Sequence, residues 1–142
     1  MATICTGMAY ASGPIAVYAL VDKVAFEPGS GKPERIRISG VFITAERTPD
    51  NSIAYSAPQR GYFYFELPKS HEELALREWA DLKSVAGTRQ VVGFGSAWYS
   101  QLHVKKPDEE AKAPVAYPLG NGMIKVNPDQ PRASALLNYK GR

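Results

Sequence analysis

Arg60-Gly61-Tyr62-Phe63-Tyr64-Phe65-Glu66-Leu67 runs through Pro68-Lys69 into Ser70-His71-Glu72-Glu73, and these residues set the order of the rest of the chain. Strict alternation predicts a strand with Phe63, Phe65 and Leu67 in the core and Tyr62, Tyr64 and Glu66 on the opposite face. Ser70 then fits a helix N-cap, and Glu73, three residues on, completes a capping box in which each side chain satisfies the other residue's backbone N–H. Leu74, Ala75, Trp79, Leu82, Val85 and Ala86 recur at three- and four-residue spacing, which is one apolar helical face. Gly87 follows as a residue able to take the left-handed conformation that ends a helix. A helix is therefore expected at about 70–86.

Before this stretch the chain reads as strands. In 14–26, Ile15, Val17, Ala19 and Val21 alternate with Ala16, Tyr18, Leu20 and Asp22, so both faces are largely apolar. The phase changes at Asp22-Lys23, after which Val24 and Phe26 resume the apolar set, and a β-bulge is expected there. Glu27-Pro28-Gly29-Ser30-Gly31-Lys32-Pro33 is a turn. From 34 to 43, Ile36, Ile38, Gly40 and Phe42 share one face and Arg35, Arg37, Ser39 and Val41 the other. The stretch 44–58 reads as a surface connection around Thr48-Pro49-Asp50-Asn51-Ser52, with Ile53 and Tyr55 in a short returning strand.

Beyond the helix, 90–105 reads as a strand with Gly93, Gly95 and Ala97 on one face, leaving space for Trp79. A loop at 106–114, a short strand at 123–126 and an apolar patch, Ala135-Leu136-Leu137-Asn138-Tyr139, complete the chain. The patch fits either a helical turn or a docking strand.

With 142 residues, 44% of them hydrophobic, the chain can close one core without disulfides or metal. Seventeen Lys+Arg against 14 Asp+Glu give a net charge of +3, below the density of a dedicated nucleic-acid protein. The lone Cys5 excludes an intrachain disulfide framework. Residues 1–13 read as a flexible N-terminal segment and 14–142 as a single β-barrel-like domain. The first twelve residues carry no charge, and Ala9-Tyr10-Ala11 has the small-x-small form of a signal-peptidase site, pointing to an extracytoplasmic protein, although no basic residue precedes it. No run reaches the ~18 apolar residues of a helical membrane span.

Three strands, a helix, then two or more strands is the chain order of the OB-fold. The expected class is thus mainly β, a small OB-fold-like Greek-key barrel of β-β-β-α-β-β order, with another small barrel or an α+β sandwich as the alternative.

The catalytic and cofactor motifs fail on their spacing. Gly29-Ser30-Gly31-Lys32 has Phe26 where a phosphate loop needs its first glycine and Pro33 where it needs Ser or Thr. Gly93-Phe94-Gly95 has Trp98 at the third glycine position of a dinucleotide fingerprint. His71 and His103 lie on different elements, and nothing nearby completes a zinc set. Ser96 lacks the Gly-x-Ser-x-Gly elbow. Glu72-Glu73 and Glu109-Glu110 read as helix-end and loop charge. The expectation is a non-catalytic binding module with no cofactor and no metal.

One constellation carries a binding reading. Arg60-Gly61-Tyr62-Phe63-Tyr64-Phe65 partly resembles the RNP1 pattern of RNA-recognition modules, with Phe63 where a small residue belongs and Leu67 in place of the last aromatic. If strands two and three pair, Arg35, Arg37, Tyr62 and Tyr64, with Arg60 beside them, fall on one outward face, where OB-folds bind oligonucleotides or oligosaccharides. These five residues are the candidate ligand-binding set. A protein or ligand partner is the first reading, single-stranded nucleic acid the second.

Overall fold

The computed structural model describes residues 15–27, 35–66, 72–95, 104–109 and 123–140. In chain order these form β1 (Ala16–Glu27), β2 (Arg35–Arg47), β3 (Ile53–Tyr55), β4 (Gln59–Glu66), α1 (Glu72–Val85), β5 (Val92–Gly95), β6 (Ile124–Lys125) and α2 (Pro131–Leu137). Neighbouring strands follow the order β3-β2-β1-β5-β6, with β4 also paired to β2, and every pairing is antiparallel. The curled sheet forms a half-barrel, so the mainly β, barrel-like class read from the chain order is the one adopted.

The bulge in β1 is what lets a strand this long keep an apolar set inside. Val21 stands opposite Gly40 and Lys23 opposite Ser39, leaving Asp22 out of register. Val17, Ala19 and Val21 therefore share the inner face with Val24, although odd numbers give way to even ones between them. A side chain at Gly40 would overlap the Leu20 carbonyl, so glycine is required at the bend.

Both faces are covered. On the inner face Phe42, Phe63 and Phe94 meet edge to face, with centroids 5.7 and 5.5 Å apart, and Leu82 and Val85 of α1 close over the same cluster. On the outer face Val41, Ile43, Val91 and Val126 receive Ala133 and Leu136 of α2. The apolar tail is thus a helix that docks. Gly87, at φ 77°, turns the chain after α1 and donates its N–H to the Val21 carbonyl at 2.9 Å, tying the helix end to the bulge.

Other expectations shift. β2 runs on to Arg47 instead of ending near residue 43, because β3 returns along it across a turn in which Asn51 takes φ 68°. The strand expected over 90–105 is described as β5 alone, with 96–103 outside the described residues. Trp79 does not fill the space beside Gly93. That glycine faces outward, where the Tyr18 ring comes within 3.7 Å of a Cβ built there, while Trp79 packs inward with its ring edge toward Phe26. The N-terminal segment with its cleavage-like site, the N-cap Ser70, and Gly29–Lys32, His71, Ser96 and His103 all lie outside the described residues. Among the described residues no helix is long and apolar enough to cross a membrane.

Candidate ligand-binding face

The register of β2 against β4 sets Arg35 opposite Glu66, Arg37 opposite Tyr64, Ser39 opposite Tyr62 and Val41 opposite Arg60. Directly opposed residues share a face, so Arg35, Arg37, Arg60, Tyr62 and Tyr64 are brought together on the outer side. Their contacts are diagonal. The guanidinium carbon of Arg37 lies 3.8 Å from the Tyr62 ring centroid, and that of Arg35 lies 3.9 Å from Tyr64. The two tyrosine rings meet edge to face at 5.6 Å. Each guanidinium over a ring is worth about 0.5–2 kcal/mol, depending on how much water it loses.

This stacking overturns the picture of an exposed tyrosine pair. Tyr62 is 3% and Tyr64 7% exposed. The arginines cover the rings, and residues 104–109 cover the β4 edge: Tyr62 and Lys105 exchange backbone hydrogen bonds of 2.9 and 2.7 Å, and the Tyr62 hydroxyl donates to the Glu109 carbonyl. A side chain at Gly61 would overlap the Lys105 carbonyl, so this close approach needs glycine. The sequence signal for the covering segment was Gly61 alone, since 104–109 has no apolar period.

At the end of the strip, one carboxylate serves two neighbours. Arg35 Nε donates to Glu27 Oε1 at 3.0 Å and the Tyr64 hydroxyl donates to Glu27 Oε2 at 3.1 Å. Burial first, then the hydrogen bond to Glu27 and the Glu27 charge, pushes the Tyr64 hydroxyl above its ordinary value, against the opposing charge of Arg35 and a hydrogen bond from Arg37. Arg60, at the other end, is paired with Asp22 at 2.5 Å. Arg37 has no carboxylate partner among the described side chains.

Among the described residues no group of three or more His, Cys, Asp or Glu side chains could hold a metal ion. The strip sets three guanidinium groups along the outer side of β2 and β4, two of them over tyrosine rings. No protein-family model, no curated protein and no solved structure matches this chain.

Proposed function

We propose that this protein is a non-catalytic binding module whose arginine strip engages a carboxylate-bearing segment of a protein partner, with Arg37 as the central contact. The observation that carries the reading is the Arg37 guanidinium, its carbon 3.8 Å from the Tyr62 ring centroid, with no carboxylate partner among the described side chains. Stacking restricts the guanidinium, which also hydrogen-bonds the Tyr64 hydroxyl, and its remaining N–H groups are the ones that would meet a carboxylate. Arg35 and Arg60, at either end, are paired to Glu27 and Asp22, which leaves Arg37 as the unneutralised cation of the strip.

Single-stranded nucleic acid is the second reading, but the stacking part of its affinity would be lacking. Bases stack on open aromatic faces, and here arginines lie over both tyrosine rings. Glu27 and Asp22 within the strip also oppose a polyanion of high charge density.

The test is fluorescence anisotropy with a labelled octaglutamate peptide and a labelled oligothymidylate at low and moderate salt. Peptide binding that weakens with salt and drops in Arg37→Ala, while Arg77→Ala on the exposed side of α1 leaves it unchanged, is the expected result. Equal losses in both variants, or no peptide binding at low salt, would refute the proposal. Tighter binding of the oligonucleotide through Arg37 would replace the partner class with nucleic acid.

A further inference from the structure

Leu20, Val41 and Arg60 stand in one rung across β1, β2 and β4. On the outer face this rung lines a notch of about 40 Å³ together with Asp22, Arg89 and Leu136. The Arg37 guanidinium, folded over the Tyr62 ring, lies near the rung of Ser39 and Tyr62, two residues from Arg60 on the same face. With ~3.3 Å per residue along a strand and ~4.8 Å between neighbouring strands, the notch is roughly 7–12 Å from that guanidinium. An extended chain covers this distance in about two to four residues.

Arg60 and Asp22 compensate one another in their ion pair. Arg89 adds a second guanidinium to the notch, and its Nη2 donates to the Leu137 carbonyl at 3.3 Å, an uncharged acceptor that leaves the positive charge in place. An entering carboxylate faces Asp22, but Asp22 is already held by Arg60, and the remaining charge is that of Arg89. The volume is close to the ~30 Å³ that one water occupies in the liquid, enough for the end of an acidic side chain and too little for a ring. We infer that the partner segment carries a second carboxylate, about two to four residues from the one on Arg37, and that Arg89 receives it in this notch. The inference rests on the reading of Arg37 as a carboxylate contact and adds a sequence preference to it. Arg37 alone accepts any acidic residue, whereas two contacts select acidic residues at close spacing.

The test is fluorescence anisotropy with three labelled Ser/Thr peptides of equal length, carrying one Glu, two Glu at i and i+3, or two Glu at i and i+9. The last has the charge of the second but holds its carboxylates too far apart for both sites. The close pair should bind about two- to fivefold tighter than the distant pair, the range of a solvent-exposed ion pair. Arg89→Gln, at an exposed position and still able to donate an N–H to the Leu137 carbonyl, should abolish that advantage and leave the single-Glu peptide unchanged. Arg37→Ala should weaken all three. Equal affinity for close and distant pairs, an advantage that survives Arg89→Gln, or an equal loss for all three peptides in that variant would overturn the second contact and leave the reading of Arg37 standing. Affinities indifferent to Arg37→Ala would remove both.

Discussion

Arg60 reaches Asp22 across 38 residues of sequence, with Nη1 2.5 Å from Oδ2, and Asp22 is presented to it by the β1 bulge. The ion pair is partly solvated, with side chains 37% and 48% exposed, so Asp22→Ala should cost no more than about 1 kcal/mol. Deleting Asp22 is a different experiment. Without the extra residue the two halves of β1 cannot both present their apolar sets inward, and stability should fall by more than about 3 kcal/mol, the scale of a lost core side chain. Urea unfolding of the two variants separates ion pair from register. Similar small losses would mean that the bulge does not set the register.

Gly61 makes a second claim testable. Because a side chain there would overlap Lys105, Gly61→Val should displace 104–109 and uncover the edge of β4. The expected cost is about 1–3 kcal/mol, together with faster amide exchange at Tyr62 and Lys105. Unchanged protection at both amides would show that the strand edge does not need this cover.

Tyr64 gives a pH dependence with a definite sign. Its hydroxyl is held above the ordinary 10.0 by burial and by Glu27, so the folded state favours the neutral form more than the unfolded chain does. The resulting stability is fully present below the unfolded value and is lost as pH rises through the folded one. Comparing unfolding midpoints of the parent and Tyr64→Phe from pH 8 to 11, the parent alone should carry this alkaline loss. Parallel curves would assign the loss to other groups.

Phe63 and Arg37 stand on opposite faces of the paired strands and should respond very differently. Phe63→Ala empties the centre of the three-phenylalanine cluster and should cost about 3–5 kcal/mol. Arg37→Ala removes a stacked cation and should cost about 0.5–2 kcal/mol. A larger loss for Arg37 would recast it as a structural residue and weaken its assignment to partner binding.

Much of this fold was legible because period-two alternation reports directly on which face is buried. The phase slip at Asp22-Lys23 announced the bulge, the pattern from Ile36 to Phe42 announced the inner face of β2, and Gly87 announced the end of α1. The candidate face was legible in membership and misread in exposure. Alternation places Tyr62 and Tyr64 outside the barrel core, but it carries no information about a guanidinium folding diagonally over a ring, or about a distant irregular segment packing along the strand edge. The outward direction of Gly93 was missed for a related reason: glycine has no side chain to mark its face, and only Val92 and Phe94 on either side reveal it.

The position of β1 also orders events during synthesis. Its pairing with β2 can form once residue 47 is available, and this joins chain segments close in sequence. Its other edge, from Ala16 to Ala19, finds its partner only in residues 92–95. Until then an apolar strand has one bare row of N–H and C=O groups, which is a template for wrong partners. A nascent chain stalled between the end of β4 and the start of β5 should therefore be the species most in need of a chaperone.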